Sequence, residues 1–219
     1  MIASIAVVGS LNMDLVIRSP RIPRPGETIL GGELHTVPGG KGANQAVAAA
    51  RLGARVSMIG RVGQDAFAEP LLENLDADGI DHAFVQQDGE AATGVALIVV
   101  DDNGENSIVV SSGANMRLSP ADVEAAETAI AAADLLILQL EVPLETVVRA
   151  AELARAHGVK VVLNPAPARP LPARLLSMID VLVPNESEAA LLTGLPAGTQ
   201  IEAAETVEAL LKLSLIHIS

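Results

Sequence analysis

Residues 134–164, "DLLILQLEVPLETVVRAAELARAHGVKVVLN", contain a strand pattern, a helix pattern and a second strand pattern in direct succession. The runs 134–140 and 159–164 are almost continuously apolar, which is typical of parallel strands that are covered on both faces. Between them, an amphipathic stretch begins with Pro143 and ends at a His-Gly stop signal. This stretch therefore predicts a β-α-β unit, in which a helix packs on a parallel sheet.

The same alternation extends over most of the chain. Apolar runs at 4–9, 56–63 and 180–185 have the composition of buried strands. Helices are predicted over 40–51, closed by a glycine, and from Ser119 through about residue 133, with Ser119 as the N-cap and a proline at the first helical position. The chain is therefore predicted to be an α/β protein with a doubly wound, mainly parallel sheet flanked by helices.

Two segments interrupt this alternation. Segment 93–112 has β-branched runs on both sides of "DDNGEN", which predicts a hairpin, and segment 11–36 contains two further short strand patterns. Inserted antiparallel strands on an α/β core suggest a small β-sheet lid over a ligand. The alternative is an edge hairpin without a functional role.

Composition excludes several classes of protein. The 219 residues include no cysteine, which rules out disulfides, thiolate metal sites and a cysteine nucleophile. A net charge of −13 disfavours nucleic-acid partners. The sequence has neither a signal-peptide pattern nor an apolar stretch long enough to span a membrane, so we expect a cytoplasmic protein without a membrane partner.

The stretch 37–54, "VPGGKGANQAVAAARLGA", places two glycines and a lysine at the start of a helix. It does not match the Walker phosphate loop, because His35 stands at the first glycine position and Gly42 follows the lysine. Exposed backbone amides, the Lys41 ammonium and the Asn44 amide suit a polyhydroxylated ligand. A glycine-rich helix start with a solvated lysine is the alternative.

Further polar residues follow the predicted strands. Asn12 and Asp14 are two residues apart after the first strand, so their side chains share one face, and Glu141 ends the strand at 134–140. Open α/β sheets bind ligands at these carboxyl ends, although a surface turn or a cap would also explain such residues. Asn185 and Glu188 have the spacing of a capping box, or alternatively of a polar pair near nucleotide phosphate and magnesium.

Many segments together resemble the ribokinase-like (PfkB-type) carbohydrate kinases, from about residue 3 to about residue 211. The segments that carry the resemblance are, in chain order, "GSLNMDLV", "PRPGET", "GGKGANQAVAAARLGA", "GRVGQDAFAE", "TGVALIVVDDNGEN", "SGAN", "LQLEVPLE", "NPAPAR" and "VPNESEAALLTG".

The resemblance implies ATP-dependent phosphorylation of the 5-hydroxyl of D-ribose. The positions that it assigns to the sugar site are Asn12, Met13, Asp14, Gly40, Lys41, Gly42, Ala43, Asn44 and Glu141. It places Asn185 near the nucleotide phosphates and has Glu188 order Mg²⁺ through water. It also implies a K⁺ requirement and a homodimer formed through the lid.

The family's Asp-Thr-x-Gly-Ala-Gly-Asp motif, which would supply the catalytic base and the anion hole, does not occur in the sequence. We therefore expect a partial domain over 1–211, with the base beyond Ser219, a non-native tail over 212–219, and no turnover by this chain. A sister kinase for another sugar or a nucleoside, and a non-catalytic sugar-binding protein, remain the alternatives.

Overall fold

A computed structural model describes residues 2–196, 205, 206 and 208–210. The strands are β1 (Ser4–Val8), β2 (Asn12–Arg18), β3 (Leu34–Gly39), β4 (Arg55–Gly63), β5 (Asp81–Asp88), β6 (Gly94–Val100), β7 (Asn106–Ser111), β8 (Leu135–Leu138), β9 (Lys160–Leu163) and β10 (Val181–Leu182). The α-helices are α1 (Lys41–Arg51), α2 (Ala68–Ala77), α3 (Pro120–Ala125), α4 (Glu127–Ala131), α5 (Leu144–Ala156), α6 (Ala173–Leu176) and α7 (Glu186–Thr193), and a 3-10 helix spans Gly113–Arg117.

The main sheet confirms the predicted α/β fold. Six strands pair in the order β10-β9-β8-β1-β4-β5, and every pair is parallel. Met58 and Ile59 are neighbours in β4 but belong to separate buried clusters, one beneath α1 and α2 and the other beneath α3, α4 and α5. Successive strand residues point to opposite faces, so the near-continuous apolar runs supply both cores.

A second, four-stranded sheet contains both of the inserted segments, in the order β3-β2-β6-β7. The predicted hairpin over 93–112 is confirmed as the antiparallel pair β6 and β7. Strand β2 pairs antiparallel with β3 and parallel with β6, so this sheet is mixed. Its base is fastened to the core where the Asp65 carboxylate accepts hydrogen bonds of 2.7 Å from both the backbone N–H and the hydroxyl of Thr93.

Several elements differ from the sequence-based expectations. The helix expected from Ser119 to about residue 133 is divided into α3 and α4, because backbone hydrogen bonding switches to an i→i−3 pattern around Ala126. The strand expected over 180–185 is only two residues long. Strand β5 was not predicted, since its sequence "DHAFVQQD" is largely polar; it forms by pairing with β4 at the edge of the sheet.

The remaining expectations concern the last residues. The described residues 205, 206 and 208–210 are helical. The tail 212–219 lies outside the described residues. Within the described part of the chain, none of the helices combines the length and the apolarity needed to cross a membrane.

Candidate functional site

Of the predicted polar residues, Asn12, Asp14, Lys41 and Glu141 lie at the carboxyl edge of the main sheet, where the small sheet begins. Strand β1 ends at Val8 and leads through Ser10 into β2, which begins at Asn12. Strand β8 is the direct neighbour of β1, so the loop that carries Glu141 lies beside this connection. Helix α1 begins at Lys41 immediately after β3, which brings its free N–H groups to the same place.

Glu141 is the centre of a hydrogen-bond network that joins these elements. Its Oε2 accepts a 2.5 Å hydrogen bond from the Ser10 hydroxyl and a 3.1 Å hydrogen bond from the backbone N–H of Lys41. The Lys41 ammonium lies 4.0 Å from Oε1 of Glu141. The backbone N–H of Gly42 donates back to the Ser10 hydroxyl at 3.3 Å. These contacts hold the carboxylate at the mouth of α1.

Glycines allow this close approach. Gly40 has a φ of 92°, and a Cβ there would lie 2.7 Å from the backbone nitrogen of Asn12. A Cβ on Gly42 would lie 2.6 Å from the backbone nitrogen of Ser10. A Cβ on Gly39 would lie 2.6 Å from Cγ of Asp14, so the Asp14 carboxylate occupies the space above that glycine. Any side chain at these positions would displace the groups that form the site.

The charge of the site suits a neutral ligand. Asp14 is partly buried, and that burial raises the pKa of its carboxyl. The negative charge of Glu141 raises the pKa of Asp14 further, while the positive charge of Lys41 lowers it in part. Two carboxylates therefore face one ammonium, which repels phosphate and favours groups that both donate and accept hydrogen bonds.

The remaining sugar-site positions divide between surface and core. Asn44 is exposed in the first turn of α1, and its backbone N–H donates to the carbonyl of Gly40 at 2.9 Å. Met13 and Ala43 are 1% and 4% exposed and pack in the core cluster beneath α1 and α2. Their side chains are therefore part of the core, so only their backbone groups are left to contact a ligand.

Asn185 and Glu188 form the predicted capping box at the start of α7. The Asn185 side-chain oxygen accepts from the Glu188 N–H, and Oε2 of Glu188 accepts from the Asn185 N–H, each at 2.8 Å. The pair follows β10, three strands from β1, which corresponds to about 14 Å along the carboxyl edge at the usual strand spacing. Across the described ranges, no cluster of three or more His, Asp or Glu residues could hold a metal ion.

Sequence reasoning missed two polar residues of the site. Ser10 holds Glu141, and Asn115 hydrogen-bonds with Asn12 and with both backbone groups of Leu11. Asn115 lies more than a hundred positions from Asn12, so no local spacing connects them. Both residues lie in segments that carry the family resemblance, "GSLNMDLV" and "SGAN", which was the only available signal.

Comparison with known proteins agrees with this geometry. Residues 2–217 match the family described as pfkB family carbohydrate kinase. The chain is 45% identical to a ribokinase of Haemophilus influenzae, over 98% of this chain and 68% of the relative. It is 44% identical to a deoxyribokinase of Salmonella typhi, over 89% of this chain and 64% of the relative. The chain thus spans about two thirds of the length of these curated relatives.

A solved structure of Arabidopsis thaliana ribokinase complexed with ribose and ATP has the same fold. It superposes with a TM-score of 0.86 at 35% sequence identity, covering 98% of this chain and 70% of the other. The matched 98% of this chain includes both the parallel main sheet and the small mixed sheet. The chain therefore belongs to the pfkB family of carbohydrate kinases.

Proposed function

We propose that this chain forms the sugar-binding part of an ATP-dependent kinase that phosphorylates D-ribose on its 5-hydroxyl. The observation that carries the proposal is the convergence of Asn12, Asp14, Lys41 and Glu141 at the sheet edge where the small sheet begins. The ribokinase of Haemophilus influenzae and the Arabidopsis ribokinase complexed with ribose and ATP support the choice of substrates.

The sugar contacts follow from the chemistry of each group. The Asp14 and Glu141 carboxylates accept hydrogen bonds from sugar hydroxyls, whereas Lys41 and the exposed Asn44 amide donate to them. The absence of a side chain at Gly40 and Gly42 lets the backbone of Ser10 and Asn12 pack directly against the start of α1, which holds these groups together. A polyol needs several such directed hydrogen bonds, because each one has a net worth of only about 1 kcal/mol.

Phosphoryl transfer requires a base near the attacking hydroxyl and a site that neutralises the transferring phosphoryl. Oε2 of Glu141 is already occupied by Ser10 and Lys41, which leaves it a poor base. The Asp-Thr-x-Gly-Ala-Gly-Asp type of motif does not occur among the 219 residues. The base and the anion hole are therefore proposed to lie beyond Ser219, and the 219 residues to bind sugar without turning it over.

We propose that ATP binds at the carboxyl edge of the main sheet near β10. Asn185 would lie near the ATP phosphates, and Glu188 would orient Mg²⁺ through water. Mg²⁺ commonly takes one or two carboxylates and completes its shell with water and substrate phosphates, so a single buried Glu188 is compatible with it. The family resemblance also implies a K⁺ requirement, and we assign no residue of this chain to K⁺.

The small sheet is proposed to act as a lid and as a homodimer contact. On the face that bears Asp14, cross-strand neighbours Val16, Ile98 and Ile108 form an apolar row, and Ile108 is 50% exposed. Exposed apolar surface next to a site is typical of a contact surface. A lid here would also keep water away from the transferring phosphoryl group. The protein is proposed to work in the cytoplasm.

Deoxyribose is a second candidate substrate. The relative from Salmonella typhi that is 44% identical is a deoxyribokinase, which makes 2-deoxyribose a candidate substrate alongside ribose. The choice depends on whether a group of this chain hydrogen-bonds the 2-hydroxyl, since a site built for a hydroxyl discriminates strongly against its absence.

Calorimetric titration with ribose, 2-deoxyribose, fructose and adenosine tests the proposal. Binding of ribose or deoxyribose, without binding of adenosine, is the expected result. Binding of adenosine alone would overturn it. Coupled ADP release with ribose and MgATP is expected to stay at background for the 219-residue chain, and measurable turnover would place the base within these residues.

A further inference from the structure

Asn115 is a buried residue that hydrogen-bonds to Asn12, a residue of the candidate site. It is 1% exposed, in the 3-10 helix that follows the β6–β7 hairpin. Its side-chain oxygen accepts a 2.9 Å hydrogen bond from the Leu11 N–H. Its side-chain nitrogen donates to the Leu11 carbonyl at 3.0 Å and to Oδ1 of Asn12 at 2.7 Å. Both ends of the Asn115 amide are therefore used.

These contacts determine the orientation of two amides. A backbone N–H can only donate and a backbone carbonyl can only accept, so the two bonds to Leu11 allow a single orientation of the Asn115 amide. The nitrogen of Asn115 then faces Asn12, and a donor requires an acceptor opposite it. Asn12 must therefore present Oδ1 to Asn115, which leaves its Nδ2 for a ligand.

Glycines at the neighbouring strand positions make the contact possible. Asn12 lies directly across from Gly39 of β3 and Gly94 of β6, so neither neighbouring strand places a side chain beside it. A Cβ on Gly94 would overlap Oδ1 of Asn12 and the side-chain nitrogen of Asn115. The absence of a side chain at Gly94 thus leaves room for the hydrogen bond between the two amides.

We propose that Asn115 is a positioning residue that turns Nδ2 of Asn12 toward the sugar, so that Asn12 serves as a hydrogen-bond donor to one ribose hydroxyl. This inference rests on the proposed function and assigns one contact of that site. Because Asn115 follows the hairpin directly, the same bonds also fix the base of the small sheet relative to the junction of β1 and β2.

The test replaces the side-chain NH₂ group of Asn115 with an oxygen. Asn115→Asp keeps the shape and still accepts from the Leu11 N–H, but its carboxylate cannot donate to Oδ1 of Asn12. The Asn12 amide then turns over to donate to that carboxylate and presents Oδ1 to the sugar. A sugar hydroxyl whose single proton is donated to Asp14 or Glu141 cannot also donate to Oδ1, so the contact is lost. Ribose affinity is expected to fall about tenfold, as for the loss of one well-placed hydrogen bond.

Sugar analogues distinguish positioning from general damage. The calorimetric series uses riboses that each lack one hydroxyl. The analogue that lacks the hydroxyl contacted by Asn12 should bind the unchanged protein more weakly than ribose does. The same analogue should bind Asn115→Asp as well as ribose does. The matched control is Thr146→Val, which removes a buried 2.7 Å hydrogen bond to the carbonyl of Leu118, next to the same 3-10 helix, without contacting Asn12. It should lower the Tm and leave the pattern of analogues unchanged.

Each result supports or overturns the inference. If Asn115→Asp retains the affinity and the analogue pattern of the unchanged protein, the inference is wrong, while ribose binding by that protein still upholds the proposed function. If Asn115→Asp does not fold, Gly94→Ala replaces it, since its methyl group separates the same two amides. In the ligand-free chain, the Asn115 side-chain NH₂ should be protected from hydrogen exchange in NMR spectra; rapid exchange would overturn the inference independently of any sugar.

Discussion

The Ser10 hydroxyl donates a 2.5 Å hydrogen bond to Oε2 of Glu141 across 131 positions of sequence. The two residues follow β1 and β8, which are adjacent parallel strands, so the bond joins the tips of two neighbouring strands. The same hydroxyl accepts from the N–H of Gly42 at the start of α1. One small side chain therefore holds together three elements of the proposed sugar site.

Removing that hydroxyl should weaken sugar binding more than it weakens the fold. Ser10→Ala leaves Glu141 with the Lys41 N–H as its remaining short hydrogen bond, so the carboxylate gains freedom. We expect ribose affinity to fall about three- to tenfold in calorimetry, the scale of one hydrogen bond. Ser177→Ala, which removes an exposed bond to the Arg174 carbonyl, should leave the affinity unchanged. Equal affinities for the two variants would contradict this role of Ser10.

A methyl group at Gly39 should displace the Asp14 carboxylate. Gly39→Ala would place a Cβ 2.6 Å from Cγ of Asp14, closer than real contacts allow. Ribose affinity is expected to fall at least about tenfold, because a main acceptor is moved. Gly32→Ala is the control from the same segment, since its Cβ would meet only the Arg18 carbonyl, at 3.7 Å. Calorimetry that shows the same loss for both variants would indicate general damage to the small sheet.

Ribose binding should depend on pH through Asp14. Burial and the charge of Glu141 hold the pKa of Asp14 above its ordinary 3.8, so the accepting carboxylate is lost at a higher pH than for an exposed Asp. Affinity should fall as the pH decreases through this raised pKa. The folded chain holds the proton more tightly than the unfolded chain, so ionising Asp14 costs stability as the pH rises above 3.8.

Asp14→Asn separates these two effects. It should weaken ribose binding and remove the acid dependence, while the Tm at pH 7 rises slightly because the destabilising charge is gone. Calorimetric titrations and thermal unfolding measured from about pH 4 to about pH 8 check both expectations. A Tm that falls at pH 7 would show that the Asp14 charge stabilises the fold.

The proposed dimer should depend on one face of the small sheet. Ile108→Asp places a charge in the apolar row on the Asp14 face, whereas Val109→Asp changes the opposite face of the same strand. Light scattering after size-exclusion chromatography should show a dimer for the unchanged protein and for Val109→Asp, and a monomer for Ile108→Asp. Dissociation by Val109→Asp alone would assign the contact to the other face.

The capping box should contribute to stability separately from any nucleotide contact. Asn185→Ala removes the acceptor for the Glu188 N–H and should lower the free energy of unfolding by about 1 kcal/mol. Asn185→Ser retains a capping oxygen and should recover most of that stability. Thermal unfolding of both variants provides the comparison. If both variants lose the same stability, the side chain of Asn185 stabilises the fold by some contact other than capping.

Local sequence signals predicted most of the regular structure. The runs at 4–9, 56–63 and 134–140 are strands because continuous apolar residues suit a sheet with helices on both faces. The hairpin at 93–112 has turn residues that favour its geometry, and Ser119 is the N-cap that the sequence predicts. Strand β5 was missed because its polar residues become a strand only through pairing with β4.

The sequence by itself determined the α/β class, the family resemblance and the residue types gathered at the strand ends, because each is a property of short segments. Tertiary structure alone decided that Ser10 hydrogen-bonds to Glu141, that Asn115 hydrogen-bonds to Asn12, and that the Met13 side chain packs in the core. Hydrogen bonds of this kind join residues a hundred or more positions apart. Their partners depend on which strands become neighbours in the folded sheet, and no local pattern records that choice.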